Sequence, residues 1–285
     1  MYTDSEKLKI RDGLSLHLEI IEHGKPRWII ATHGVGEHLG RHKYLVELFK
    51  SNYNILFYDL RGHGQSEGKR AFVGKFEDYA KDLGEIIYHL KKNYKMEKYV
   101  LFGHSMGGLV TADFIQNFSD DECYPEKVFL SAPPIGLPGP GGMVMKYVSP
   151  KITEALAGVP FSLDLKGLVD VAGLSHDPRV AEDYKKDPLN CLSMHTKLAL
   201  GLVSRSARVF SRPLRIKCPS FCAYGSNDPV CSAGATKTFF RDLEKNTQVF
   251  EVDGAFHELH NEVKEYKRPY MDFLVKSLSP EDIFA

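Results

Sequence analysis

Residues 101–110 read Leu-Phe-Gly-His-Ser-Met-Gly-Gly-Leu-Val, which sets a serine two residues from a glycine on either side. An apolar run at 99–102 stops at Gly103-His104-Ser105-Met106-Gly107, and Leu109, Val110, Ala112, Phe114 and Ile115 follow at helical spacing. Gly-x-Ser-x-Gly between a strand and a helix is the setting of a nucleophile elbow. Side chains at 103 and 107 would collide with the neighbours of the turn, and the strained turn lifts the serine Oγ clear of the main chain. Outside that setting the motif is only a glycine-rich loop with a surface serine.

A hydroxyl nucleophile needs a base, and the base needs a carboxylate to orient it. After an elbow of this kind the acid comes next along the chain and the histidine last. The apolar run 220–224 leads into Gly225-Ser226-Asn227-Asp228-Pro229-Val230, and the run 248–252 leads into Asp253-Gly254-Ala255-Phe256-His257. Asp228 is therefore the expected acid and His257 the expected base. Asp253 and His260 are their rivals; Asp253 lies too near His257 on one loop to orient it easily, and His260 falls where a helical pattern starts. The anion that forms on an attacked carbonyl needs donors as well. The run 27–32 ends in His33-Gly34-Val35-Gly36-Glu37-His38. The main-chain N–H groups of Val35 and of Met106, next after the nucleophile, are the expected oxyanion donors.

These groups must be carried by regular elements. Alternating residues around Asp12-Gly13 signal a hairpin at 7–10 and 14–21. Apolar runs at 28–32, 54–59, 99–102, 128–132, 220–224 and 248–252 read as strands, and 43–51, 76–93, 105–118, 233–243 and 266–278 as helices. That alternation predicts an α/β fold with a mostly parallel central sheet and helices on both faces. It breaks at Pro133-Pro134, and 134–210 holds no strand-like run long enough to join the sheet. Segments 177–184 and 191–210 read as helical. The expected organisation is a core of 1–133 and 211–285 with a helical cap at 134–210. Within the cap, the apolar stretch 143–168 is expected to gate access and to face an acyl chain or a membrane surface, with Val148, Ile152 and Leu156 as acyl-binding residues.

The motif at 33–38, the stretch Tyr58-Asp59-Leu60-Arg61-Gly62-His63-Gly64-Gln65-Ser66-Glu67-Gly68 and the elbow, taken with Gly225-Ser226-Asn227-Asp228 and His257, resemble one family. It is the monoglyceride lipase and lysophospholipase group of serine α/β-hydrolases, and the resemblance spans roughly residues 7–275. It implies an α/β-hydrolase fold with Ser105 as nucleophile, Asp228 and His257 as its partners, and Val35 and Met106 as oxyanion donors. It also implies a polar pocket for the leaving alcohol, to which Glu37 and Arg41, and then His260 and Tyr184, correspond. The alternative for Glu37 and Arg41 is that they pair with each other and hold their loop. Asp59, Arg61 and His63 read as structural groups that lock the loop beneath the site. The implied activity is cleavage of monoacylglycerols to fatty acid and glycerol through an acyl-enzyme on Ser105. A lysophospholipase, or a broader carboxylesterase or thioesterase, is the alternative, and a non-catalytic binding scaffold is the reading of another class.

Composition narrows the rest. Acidic and basic side chains number 37 each, so no overall field draws nucleic acid. Five irregularly spaced cysteines suit a reducing compartment. The first residues lack the layout of a signal peptide, and no apolar run approaches the ~20 residues of a membrane span. A cytoplasmic protein is expected, touching membranes peripherally through its cap, with a lipid ester as its partner and its oligomeric state open. No dinucleotide or Walker loop is present, so no cofactor is expected. No metal is expected either: His257-Glu258-Leu259-His260 lacks the i, i+4 spacing of a zinc motif, and Glu37, His38 and His42 read better as loop hydrogen bonds.

Overall fold

The computed structural model describes residues 2–121, 124–136, 162–166 and 171–280. Its strands are β1 (Tyr2–Lys9), β2 (Ser15–Glu22), β3 (Arg27–Thr32), β4 (Asn54–Tyr58), β5 (Lys98–His104), β6 (Lys127–Ser131), β7 (Asp164–Lys166), β8 (Ser193–His195), β9 (Ser220–Gly225) and β10 (Gln248–Val252). Eight of them form one sheet in the order β1-β2-β4-β3-β5-β6-β9-β10. The pairs β1/β2 and β2/β4 are antiparallel and the remaining pairs of that sheet are parallel. β1 begins five residues before the alternation at 7–10 suggests. The whole strand pairs with β2, from Tyr2 opposite Glu22 to Lys9 opposite Ser15, so main-chain hydrogen bonding extends it where side-chain pattern does not.

The helices are α1 (Tyr44–Phe49), α2 (Glu77–Asn93), α3 (Met106–Asn117), α4 (Pro178–Lys186), α5 (Thr196–Val209), α6 (Ala233–Asp242) and α7 (Lys264–Leu278). Period-two alternation divides the strand residues between two cores. Ile29, Ala31, Ile55, Phe57, Val100, Phe102 and Phe129 face α1 and α7. Trp28, Ile30, Leu56, Tyr58, Tyr99, Leu101, Val128 and Leu130 face α2, α3 and α6. Because the central strands are covered on both sides, β4 and β9 are buried along their full length.

Parallel pairing brings the carboxyl ends of β3, β5, β6, β9 and β10 to one edge of the sheet. Thr32 pairs with Gly103, His104 with Ser131, Ser131 with Ala223, and Gly225 with Val252. Ligand sites of open α/β sheets form at that edge.

The chain leaves the sheet after β6 and rejoins it at β9. Between them, β7 and β8 pair only with each other, so no described residue of 134–210 joins the main sheet. The helical reading of 191–210 needs correction at its start, where Ser193–His195 is strand β8 and the helix begins at Thr196. β8 exists because β7, 29 residues upstream from Asp164 to Ser193, supplies its partner, and three residues alone carry no strand signal. Val148, Ile152 and Leu156, with most of the apolar stretch 143–168, lie outside the described residues. Among the described residues no helix is long and apolar enough to cross a membrane.

The loop after β4 is locked by charge. Asp59 accepts from the main-chain N–H of Leu39 at 2.8 Å and of Gln65 at 2.7 Å. A Cβ on Gly64, whose φ is +49°, would stand 2.1 Å from that carboxyl group. Arg61 donates through Nε and Nη2 to both oxygens of Asp82 on α2, each at 2.7 Å, and through Nη1 to Asp12 at 2.7 Å. Asp82 is 1% exposed, so removing it leaves Arg61 buried with its main counter-charge gone. Asp82→Ala should lower stability by about 3 kcal/mol in urea unfolding, with an unchanged slope. A loss below about 1 kcal/mol, the range of exposed pairs, would show that this lock is not a buried ion pair in effect.

Candidate active site

Ser105 follows β5 and precedes α3, with its backbone at φ 51° and ψ −122°. That is a strained conformation for a residue with a side chain. The neighbours leave no room for relaxation. A Cβ on Gly103 would stand 2.4 Å from the Gly107 carbonyl oxygen, and one on Gly107 would stand 2.2 Å from the Thr32 carbonyl oxygen. Both glycines of the motif are therefore required by main-chain crowding. The Ser105 N–H donates to the Ser131 carbonyl at 2.8 Å, which ties the turn to β6.

The structure brings Ser105, His257 and Asp228 together. His257 Nε2 lies 2.9 Å from Ser105 Oγ, and His257 Nδ1 lies 2.7 Å from Asp228 Oδ2. The carboxylate has no proton to give, so Nδ1 carries the hydrogen and Nε2 of the neutral ring accepts from the serine hydroxyl. The second oxygen, Oδ1, accepts from the N–H groups of Val230 at 2.7 Å and Cys231 at 2.9 Å. All three side chains are buried. Burial opposes a charge on His257, but Asp228 and Cys231 beside it together outweigh burial and raise the pKa well above the ordinary histidine value. The rivals do not meet the serine: Asp253 accepts from Ser226 Oγ at 3.0 Å, and both ring nitrogens of His260 are without partners.

Val35 stands in the loop after β3, and Met106 is the first residue of α3. The Met106 N–H therefore has no intrahelical acceptor. The loop is shaped by His33. Its Nε2 accepts from the Leu60 N–H at 2.9 Å, so its Nδ1 carries the hydrogen that bonds the Gly34 carbonyl at 2.7 Å. Burial lowers the His33 pKa to about 3, which keeps this neutral form in place. Gly34 packs directly on the nucleophile, since a Cβ there would be 3.0 Å from Ser105 Cβ and 2.7 Å from Glu37 Oε1.

Glu37 and Arg41 lie in a polar network with His42 and Glu258, against which the rings of Tyr184 and His260 pack. Glu37 Oε1 accepts from the Gly34 N–H and lies 3.1 Å from His42 Nε2, and its Oε2 accepts from Arg41 Nε at 3.2 Å. Burial alone would raise the Glu37 pKa, but His42, His104 and Arg41 around it hold it well below the usual carboxylate range. Arg41 also donates to Glu258, and its guanidinium stacks 4.9 Å from the centroid of Tyr184. The pairing of Glu37 with Arg41 that would hold the loop is thus present. Tyr184 and His260 differ from them: the Tyr184 hydroxyl and both His260 nitrogens are buried without a partner. His260 stacks on Tyr44 at 5.0 Å and neighbours His42 at 4.9 Å and His104 at 5.1 Å.

Three participants escaped the sequence analysis. Glu258 is the second carboxylate on Arg41, and only its adjacency to His257 marked it. His104 packs 5.1 Å from the His257 ring, and burial holds its pKa well below the ordinary value. Asp187 pairs with His38 at 2.8 Å across 149 residues, a contact that no local pattern announces. Near it the Cys191 N–H donates to the Gly36 carbonyl at 2.7 Å. Glu37, His38 and His42 do not converge on one point, because His38 turns to Asp187 while His42 turns to Glu37. Among the described residues, the group whose ligand atoms do converge is Asp228, Cys231 and His257.

Residues 24–264 match the family described as serine aminopeptidase, S33. The chain is 29% identical over 248 residues to the monoglyceride lipase of Mus musculus, covering 85% of this chain and 79% of that one. It is 25% identical over 244 residues to the monoacylglycerol lipase of Mycolicibacterium smegmatis, covering 82% of each. The crystal structure of the monoacylglycerol lipase of Paleococcus ferrophilus superposes with a TM-score of 0.77 at 27% identity, covering 92% of this chain and 99% of that one.

The environments of the histidines predict a split titration. In NMR spectra of the ring nitrogens, His257 should titrate above the ordinary value of ~6.5, while His33, His63 and His104 stay neutral well below it. His257→Gln should remove the high-pH transition and leave the others. A His257 transition below 6.5 would mean that burial outweighs Asp228 and Cys231 together.

Proposed function

We propose, since this chain belongs to the serine aminopeptidase S33 family and is a serine hydrolase of carboxylic esters with the α/β-hydrolase fold, that it cleaves monoacylglycerols to fatty acid and glycerol. In this reading Ser105 Oγ attacks the ester carbonyl while His257 Nε2 takes its proton, over the 2.9 Å that separate them. Asp228 holds the imidazole in the required tautomer and stabilises its charge. The N–H groups of Val35 and Met106 meet the oxyanion, each contributing a few kcal/mol, about 10²–10³ in rate. His257 then protonates the departing glycerol oxygen, and water, deprotonated by the same ring, releases the acid from Ser105. Residues 1–133 and 211–285 form the hydrolase core and 134–210 the cap, a division supported by the described cap residues adding no strand to the main sheet. The His38–Asp187 and Gly36–Cys191 contacts join that cap to the oxyanion loop.

The observation that carries the substrate assignment is the pair of orphaned, buried polar groups, the Tyr184 hydroxyl and the His260 ring, flanking the Glu37–Arg41–Glu258 array. An alcohol with two free hydroxyls can pair with both. A second acyl chain would leave them unpaired at about 1–3 kcal/mol each. Glu37 contributes mainly by holding Arg41, because both its oxygens are engaged. Arg41 lies between two carboxylates, which makes it a poor site for the phosphate of a lysophospholipid.

Ser105→Ala should reduce turnover by about 10⁶-fold with the fold intact. Asp228→Asn should cost roughly 10⁴-fold through the wrong tautomer, and Asp253→Asn should cost little. If Asp253→Asn proved the more damaging, the acid would be misassigned. The substrate reading is tested by kcat/KM for a monoacylglycerol, a lysophosphatidylcholine and a methyl ester of one acyl chain. The glycerol ester should lead, and His260→Phe or Tyr184→Phe should shrink its lead over the methyl ester by roughly tenfold. A preference for the lysolipid, or a lead untouched by both substitutions, would overturn it.

A further inference from the structure

Asp228, Cys231 and His257 each offer a ligand atom, a carboxylate oxygen, Sγ and an imidazole nitrogen, and these atoms all lie within 4.8 Å of one another. All three residues are buried, at 8%, 5% and 3% exposure. We propose that they form an inhibitory binding site for a thiophilic divalent cation, with Zn²⁺ as its type. The bound ion switches off ester hydrolysis by holding His257 away from its proton relay. The inhibition rests on the proposed role of His257 as base; the binding does not.

The donor set selects the ion. Sulfur, nitrogen and oxygen together suit Zn²⁺ and Cd²⁺, whereas Mg²⁺ and Ca²⁺ require oxygen ligands. Bonds of about 2.0–2.3 Å in a tetrahedral arrangement place ligand atoms roughly 3.3–3.6 Å apart, so small side-chain rotations suffice. The supports exist without the ion. Asp228 Oδ1 accepts from the N–H groups of Val230 at 2.7 Å and Cys231 at 2.9 Å, which curls the turn after β9 and sets Asp228 and Cys231 side by side. The hydrogen bond of 2.7 Å to Asp228 already orients His257. A fourth position remains for water. The histidine–carboxylate pairs His38–Asp187, His89–Glu6 and His176–Glu262 offer two ligands each and no sulfur.

On binding, the cysteine proton and any proton on the ligating imidazole nitrogen pass to solvent, and no electron is transferred. Burial raises the Cys231 thiol pKa, with His257 opposing and Asp228 adding to the rise. The turn at 171–174 lies against both loops, since a Cβ on Gly173 would meet Pro229 at 2.5 Å and the Leu174 carbonyl accepts from the Glu258 N–H at 2.7 Å. Onset should consequently be slow relative to turnover.

The experiment titrates Zn²⁺ into the full chain and reads two quantities. One is hydrolysis of a short-chain ester, and the other is Zn²⁺ affinity by competition with a chromophoric chelator. Wild type should be inhibited by Zn²⁺ and restored by EDTA, and indifferent to Mg²⁺ and Ca²⁺. Cys231→Ala keeps the main-chain bond to Asp228, and its Zn²⁺ inhibition, read against its own metal-free rate, should weaken by about tenfold or more. Should the alanine variant fold poorly, Cys231→Ser preserves the size and must show the same loss. Ser105→Ala should bind Zn²⁺ as tightly as wild type, and Cys231→Ala should lack that tight site. Equal Zn²⁺ sensitivity with and without the thiol, or no tight site in Ser105→Ala, would overturn the proposal. Persistent activity of Ser105→Ala would instead sink the nucleophile assignment, and the affinity measurement would still decide the metal site.

Discussion

The backbone of Ser105 stands at φ 51°, and the surrounding main chains hold it there. α3 starts so close to β3 and β5 that neither Gly103 nor Gly107 can carry a side chain. Gly34 in turn lies on Ser105 Cβ. The conformation is costly, by order of 1–3 kcal/mol, and persists because the fold over-determines it. The projection of Oγ towards His257, the position of the N–H groups at the start of α3 and the approach of the oxyanion loop all follow from this one crowded contact. The sheet supplies the rest of the geometry, because parallel strands deliver the loops of β3, β5, β9 and β10 to a single edge.

Charge is handled differently from one histidine of the site to the next. Towards His257 the environment favours a charged ring, through Asp228 and Cys231. Towards His33 and His104 it favours neutral rings, because burial dominates there. His257 is thus ready to take up the serine proton while the neighbouring imidazoles stay neutral. Behind them Glu37, Arg41 and Glu258 form a compact array in which each charge has a partner, as burial demands. Tyr184 and His260, with Nδ1 of His42 and of His104, are left without partners around this array, and an unpartnered buried polar group is where a ligand's hydroxyl gains most.

The amino-acid sequence by itself determined the fold class and the three residues that meet at the site. Strand runs and helical spacing are local properties, and β3, β4, β6 and β9 lie where the apolar runs place them. The elbow is legible because its glycines answer a local steric demand. Asp228 and His257 are legible because each follows a strand end in a fixed chain order. Only the tertiary structure decided what those residues do to one another. The partners of His38 and Arg41 stand 149 and 217 residues away, and β8 is a strand only because β7 lies beside it. The same holds for the sign of each histidine's pKa shift, since burial and neighbouring charge are properties of packing. It holds equally for the engaged Glu37 and the orphaned His260. Local sequence states which groups are present, but hydrogen-bond satisfaction depends on what the folded chain places within about 3 Å of them.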